Sequence, residues 1–291
     1  MHWHETAPAK INLFLHVGPV EADGYHPLCS LVAFADLGDT LTLDPDGPPG
    51  LTLTGPFAGA LTGEAATTAD NLVLRALAGL AAETGLETSR LSLTLDKRLP
   101  VAAGLGGGSA DAGAALRLAR RYLAPDLDDE VLARVSRIVG ADGPMCVRSE
   151  TARAEGRGEV LTPEPRLPPL HAVLVNPGVP SPTGAVYGAY DALGVGGADR
   201  PADPARWDAE AVIGWLAGQR NDLEAPALVN TPAIGRALDA VRAQGQARLV
   251  RMSGSGATVF GLYEDAAAAA HAAEALTGAH PDWWVRPTRL G

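Results

Sequence analysis

Leu99-Pro-Val-Ala-Ala-Gly-Leu-Gly-Gly-Gly-Ser-Ala-Asp-Ala-Gly-Ala-Ala115 decides how this chain is read. A proline closes a strand, four glycines fall within the five residues 104–108, and an alanine-rich helix opens at Ser109. Glycine lets backbone N–H groups turn toward one point and lets a bulky anion approach the main chain. The helix start adds N–H donors without intrahelical partners and the positive end of its dipole. Together these features describe a phosphate cradle. The stretch is not a Walker A loop, and it misses Gly-x-Gly-x-x-Gly because the last glycine falls on Ser109. A flexible glycine linker is the plain alternative. The flanks argue against it, since Leu91, Leu93 and Leu95 alternate with Ser92, Thr94 and Asp96 as in a half-buried strand.

Working outward, a chain of 291 residues favours two domains over one core. Its 46% hydrophobic content excludes disorder, and a net charge of −11 argues against general nucleic-acid or anionic-membrane binding. No apolar run approaches the roughly 20 residues needed to cross a bilayer, and Met1–Glu5 lacks the basic and apolar regions of a signal peptide. Cys29 and Cys146 give no disulfide framework or zinc site. His2 and His4 read as a frayed terminus rather than a metal tract. A soluble cytoplasmic protein is expected. Among 23 basic residues only two are lysines, Lys10 and Lys97, which leaves 21 arginines. Either compositional bias explains this, or the two compact ammonium groups are kept for phosphate.

Along the chain, Ala9–Val17 reads as a strand, followed by strands at 28–37, 40–43 and 51–54. Helices are expected at 71–84, 109–123 and 128–139. Four prolines within 162–169 suggest a domain junction, so that 1–160 and 161–291 form the two domains. Beyond it come a strand at 173–176, helices at 183–193, 209–217, 222–228 and 232–244, and strands at 248–252 and 258–263. A helix at 266–276 and a strand at 283–286 complete the pattern, while 194–206 reads as a variable loop. Runs of strands and helices without strict alternation indicate an α+β protein.

A bound nucleoside triphosphate needs an acceptor and a group to take the acceptor's proton. Asp142, in Gly140-Ala-Asp-Gly-Pro144, is the candidate base, although Asp-Gly is also a common turn dipeptide. Lys10 beside it would stabilise charge developing on the acceptor oxygen.

Five motifs occur in order: Pro8-Ala-Lys-Ile-Asn-Leu13, Asp23-Gly-Tyr-His26, Pro100 through Ser109, Gly140-Ala-Asp142 and Ser253-Gly-Ser-Gly256. Over nearly its whole length the chain resembles the GHMP kinases, which include galactokinase, homoserine kinase and mevalonate kinase. The Pro-Ala-Lys-Ile-Asn strand, the Asp-Gly-Tyr-His turn and the triple glycine together resemble the branch acting on a cytidine-diphosphate-linked methylerythritol. The resemblance implies an N-terminal ATP-binding domain like domain 2 of ribosomal protein S5 and a C-terminal ferredoxin-like α/β plait. It implies Lys10 and Asp142 as the catalytic pair, with Asp142 also touching the acceptor hydroxyl. ATP would lie on Asn71, Leu72, Lys97 and the run Pro100, Val101, Ala102, Ala103, Gly104, Leu105, Gly106, Gly107, Gly108, Ser109 and Ala110. Mg²⁺ would be held mainly through ATP, with the Ser109 hydroxyl on the metal side. The acceptor would be bound by Asn12, Tyr25, His26, Thr183, Tyr187, Gly254 and Ser255, the aromatic groups stacking on the pyrimidine.

By themselves, His26 reads as an exposed turn histidine and Tyr187 as a core aromatic. The implied partners are small molecules, with no nucleic acid, no membrane and a monomer or weak homodimer. After Asp142 the family commonly continues Val-Pro-Phe, whereas this chain has Gly143-Pro-Met-Cys146, a change expected to loosen the backbone at Asp142. A kinase of the same family with another acceptor is one rival. A nucleotide-binding regulator without turnover is another.

Overall fold

The computed structural model describes residues 2–61, 71–193 and 196–291. Two long strands dominate the N-terminal region, β1 (Trp3–Val17) and β2 (Leu28–Leu43), and they pair with each other. Both exceed what periodicity predicts. Instead of fraying, the N-terminus enters β1 at Trp3, and His4 Nδ1 lies 3.0 Å from Thr42 Oγ1. Strand β2 runs unbroken through Gly38-Asp39, between the two strands expected at 28–37 and 40–43. Asp39 is fully buried, because its carboxylate is held by Lys97 and by the N–H groups of Arg98 and Leu99.

The chain forms two compact units, one from Met1–Ala9, Leu37–Val101 and Gly106–Ser149, the other from Lys10–Asp36, Ala102–Leu105 and Glu150–Gly291. These units interleave along the chain, because β1 and β2 each give one half to either.

In the first unit, β3 (Gly50–Thr54) runs parallel to β4 (Ser92–Asp96), and β4 pairs antiparallel with the end of β2, Leu41 opposite Leu95. Leu41, Leu43, Leu93 and Leu95 are buried. Four helices complete the unit: α1 (Leu72–Thr84), α2 (Gly107–Leu123), α3 (Asp129–Ser136) and α4 (Gly143–Arg148). Helix α1 starts on Asn71, whose Oδ1 accepts the Val73 N–H at 2.9 Å. Its buried residues Val73, Ala76, Leu77 and Leu80 follow helical spacing. The helix expected over 128–139 ends at Ser136 and passes into a 3₁₀ turn, Arg137–Val139. Helix α4 is unanticipated, since Asp-Gly-Pro signals a turn. Pro144 lies in its first turn, where a missing N–H leaves no helical hydrogen bond unmade.

The second unit is an antiparallel system with helices. Strand β5 (Ala152–Gly156) pairs with the start of β2 and with β6 (Val160–Pro163), neither of which is marked by an apolar pattern. β7 (Leu170–Asn176) pairs with β9 (Val259–Tyr263) and β10 (Trp284–Leu290), while β9 also pairs with β8 (Leu249–Met252). Its helices are α5 (Thr183–Leu193), α6 (Ala209–Ala217), α7 (Glu224–Asn230), α8 (Ala233–Ala243) and α9 (Ala266–Ala279). Val173, Val175, Val241, Val259, Ala273 and Leu276 belong to its core. The proline-rich run at 162–169 joins β6 to β7 inside this unit. Of the loop expected over 194–206, positions 194 and 195 lie outside the described residues. The rest is held in place, with Asp203 Oδ1 accepting from Arg153 Nη2 at 2.6 Å and Asp199 O lying 2.9 Å from His16 Nδ1.

Arg251, on β8, fastens this unit internally. It is 6% exposed and donates to the carbonyls of Leu13, Leu216 and Gln219. Burial pulls its guanidinium down to about 10. Arg251→Met would leave three carbonyls without their donor, a loss of on the order of 3 kcal/mol. We expect a thermal midpoint lower by roughly 10 °C, read by calorimetry; a shift below about 2 °C would contradict it.

Candidate active site

The glycine-rich stretch is shaped by its backbone. Ala102, Gly104 and Gly106 all have positive φ, at 53°, 73° and 61°. Left-handed residues alternating along a chain are an arrangement that can turn successive N–H groups toward one point. Ala102 holds a left-handed conformation without being glycine, a strain of about 1 kcal/mol. Helix α2 begins at Gly107, two residues before the expected Ser109, with Gly106 as its N-cap and no acidic side chain in its first turn. The early start follows from glycines that leave the left-handed N-cap free to turn. Gly107, Gly108 and Ser109 therefore offer first-turn N–H groups. Pro100, Ala103, Leu105 and Ala110 are buried and Val101 is half-buried, so these five can serve an anion through main-chain atoms.

In the second unit, the turn between β8 and β9 seats part of this loop. A Cβ built on Gly104 would fall 2.4 Å from Ser253 O and 2.8 Å from Gly256 O, so glycine is required for the close approach. Ser253 Oγ donates to Gly104 O at 3.0 Å and accepts the Asn12 N–H at 3.2 Å. Thr258 N–H donates to Ala103 O at 3.0 Å, and Lys10 N–H to Leu105 O at 2.8 Å. Lys10 and Asn12 on β1 are 6% and 5% exposed, so β1 and the loop share one network. Asn12 Nδ2 donates to Ser30 Oγ at 2.8 Å, while Asn12 Oδ1 has no hydrogen-bond partner among the described residues. Thr183 Oγ1 lies 2.9 Å from Ser255 Oγ, and Asn221 Nδ2 donates to Gly254 O at 2.8 Å. The structure thus brings together Lys10, Asn12, Gly104, Thr183, Gly254 and Ser255. It adds Ser30, Asn221 and Ser253, which sequence reasoning did not assign a role.

In the first unit, Asp142 is half-buried at the start of α4, where its carbonyl accepts the Cys146 N–H at 3.0 Å. Gly143 does not loosen this backbone. A Cβ there would fall 1.9 Å from Ser136 O, so the glycine admits a tight contact that fixes the helix start. Leu72 meets the loop's helical side, since a Cβ on Gly108 would lie 3.0 Å from Leu72 Cδ1. Asn71 and Leu72 thus adjoin α2. The Lys97 ammonium is 3% exposed and bound to Asp39 Oδ2 at 2.5 Å and Asp111 Oδ2 at 2.7 Å. Asp111 was detectable as the one charged residue in Ser109-Ala-Asp-Ala-Gly-Ala-Ala115.

A second group lies on α5 and the Asp23-Gly24 turn. The His26 ring is 4.9 Å from the Tyr187 ring and 5.7 Å from that of Tyr190. His26 Nε2 is 2.7 Å from Asp191 Oδ1, so the histidine is neither isolated nor freely exposed. Tyr25 is 57% exposed, and the Arg157 guanidinium covers its ring at 4.5 Å. Arg157 also pairs with Asp23. Among the described residues, no group of three or more His, Cys, Asp or Glu could hold a metal ion, and no helix is long and apolar enough to cross a membrane.

Comparison with known proteins agrees with this geometry. Residues 71–150 match the GHMP kinases N terminal domain and residues 208–282 the GHMP kinases C terminal domain. The chain is 52% identical to the 4-diphosphocytidyl-2-C-methyl-D-erythritol kinase of Caulobacter vibrioides, over 98% of both chains. It belongs to the 4-diphosphocytidyl-2-C-methyl-D-erythritol kinase branch of the GHMP kinases. The kinase of that name from Methylobacterium radiotolerans is 54% identical, again over 98% of both chains. A crystal structure of 4-(cytidine 5'-diphospho)-2C-methyl-D-erythritol kinase superposes with a TM-score of 0.77 at 35% identity, covering 99% of each chain. The fold is accordingly the two-domain α+β GHMP kinase fold.

Proposed function

We propose that the enzyme transfers the γ-phosphoryl group of ATP to the 2-hydroxyl of 4-diphosphocytidyl-2-C-methyl-D-erythritol, a step of the methylerythritol phosphate route to isoprenoid precursors. One observation carries this reading: identity above 50% over 98% of the chain with kinases of that name. The loop geometry supports it, because left-handed positions at 102, 104 and 106 lead into a helix start. Asp142 would take the proton of the 2-hydroxyl as its oxygen bonds to the γ-phosphorus. The bond from that phosphorus to the bridging oxygen breaks, and ADP leaves. Lys10 would stabilise charge on the reacting oxygens, and no covalent enzyme intermediate is needed.

Mg²⁺ would enter as part of the Mg·ATP substrate, with the Ser109 hydroxyl on the metal side. The loop from Pro100 to Ala110, with Asn71 and Leu72, would hold the nucleotide. Asn12 Oδ1, a buried acceptor without a partner among the described residues, suits a hydroxyl of the acceptor substrate. Thr183, Gly254 and Ser255 would lie near its diphosphate, and Tyr25, His26 and Tyr187 would hold the cytosine. By sequence the functional domains would be 1–160 for ATP and 161–291 for the C-terminal part, a division different from the two compact units, in a cytoplasmic monomer or weak homodimer.

The test is coupled ADP release with Mg·ATP and the cytidyl substrate, with homoserine and mevalonate as parallel acceptors. Turnover confined to the cytidyl substrate supports the reading, and turnover on another acceptor removes the pyrimidine site. Tyr25→Ala examines that site directly, since an exposed ring contributes little to folding. Loss of base stacking at ~1–3 kcal/mol predicts an acceptor KM raised about tenfold or more, with the ATP KM unchanged. Equal effects on both substrates would sink the stacking role.

A further inference from the structure

We infer that Asp39, Lys97 and Asp111 form a buried cross-tie that holds the two flanks of the glycine loop in register for ATP, with Asp111 as the positioning residue on α2. The inference rests on the proposed ATP site. Lys97 stands one residue beyond β4, and its ammonium lies 2.5 Å from Asp39 Oδ2 and 2.7 Å from Asp111 Oδ2. Asp39 uses its other oxygen to accept the N–H groups of Arg98 and Leu99, which fixes the chain as it enters the loop. Asp111 lies one turn into α2, on the loop's far side. A Cβ on Gly107 would be 3.6 Å from Lys97 Nζ, so the first residue of α2 rests against the same ammonium. One cation thus fastens residues 97–99 and residues 107–111, and the loop runs between them.

The charge count supports a tie that is neutral when ATP is bound. Two ionised carboxylates on one ammonium would leave a net negative charge under a site for a polyanion. Among the described residues Asp111 Oδ1 is buried without a hydrogen-bond partner, which is far less unfavourable for a neutral carboxyl than for a carboxylate. Burial pushes the Asp111 carboxyl up, ahead of the opposing pull of Lys97. For Lys97, burial disfavours the ammonium, but its hydrogen-bonded acidic partners outweigh it and hold the group above the usual lysine range, with Asp39 supplying the full opposing charge when Asp111 is neutral. A lysine so engaged acts on the loop's position and not as a direct ligand of the nucleotide.

The test compares Asp111→Leu, which removes the acceptor on α2 but leaves Lys97 and Asp39 as a matched pair, with Asp111→Asn, which keeps an acceptor. The probe is a Mg²⁺ complex of a non-hydrolysable ATP analogue, titrated calorimetrically and followed by steady-state kinetics. We expect D111L to weaken the analogue and raise the ATP KM by about tenfold or more, as displaced binding groups do. The acceptor KM should stay within about twofold, and D111N should restore analogue affinity to within about threefold of the parent. Parental affinity in D111L would overturn the cross-tie, as would a D111N as weak as D111L. Should D111L not fold, Asp111→Ala carries the same expectation. Failure of both to fold would make Asp111 a stability residue and overturn the inference. A parent protein that does not bind the analogue would instead remove the ATP reading.

Discussion

Asp142→Asn is expected to lower kcat by about 10³-fold, within the 10²–10⁴ range of a lost proton acceptor, while ATP affinity changes less than about threefold. The backbone supports a clean experiment. The Asp142 carbonyl, kept in the variant, receives the Cys146 N–H at the start of α4. The tight seat of Gly143 against Ser136 O does not involve the side chain of residue 142. Asparagine has nearly the same shape as aspartate, and it cannot accept a proton at neutral pH. Single-turnover measurement separates this from slow product release. A phosphoryl-transfer rate within about tenfold of the parent would remove Asp142 as the base and leave positioning and charge to carry the reaction.

Much of the site is legible in the sequence where the deciding interactions are local. The glycine run between an alternating strand and an alanine-rich helix marks the loop, and Asn71 before an apolar periodic segment marks the start of α1. Local signals fail where distant residues decide. The pattern gives two strands that stop on either side of Gly38-Asp39, yet β2 continues because partners at 97, 98 and 99 satisfy the buried carboxylate. The single lysine beside the loop is visible in the sequence, but its occupation by Asp39 and Asp111 depends on pairings 58 and 14 residues apart. Gly143 shows the same difficulty in reverse. Alone it signals freedom, whereas against Ser136 O it is the only residue that fits. Ser253 escapes notice in Ser253-Gly-Ser-Gly256 because its hydroxyl works across 149 residues on Gly104.

Gly104→Ala is expected to be the most damaging single methyl group that can be added to this loop. Two independent effects act together. At φ 73° an alanine carries a penalty of about 1–2 kcal/mol. The new Cβ would also meet Ser253 O at 2.4 Å, Gly256 O at 2.8 Å and Gly256 N at 2.9 Å. All three are main-chain atoms, so no rotamer change relieves the clash, and overpacking of this kind adds roughly 1–3 kcal/mol. The loop would withdraw from the β8–β9 turn, losing the bonds of Ser253 Oγ to Gly104 O and of Thr258 N–H to Ala103 O. Because those bonds hold the concave N–H array, the loss should fall on the nucleotide. We expect kcat/KM for ATP to drop by about 10²-fold or more, with the thermal midpoint lower by roughly 10 °C. Gly278→Ala is the matched control, since nothing lies within 4 Å of a Cβ at that position in α9. A Gly104→Ala enzyme with parental ATP kinetics would show that the loop does not need its seat on the turn, and the phosphate-binding role would then pass to the start of α2 alone.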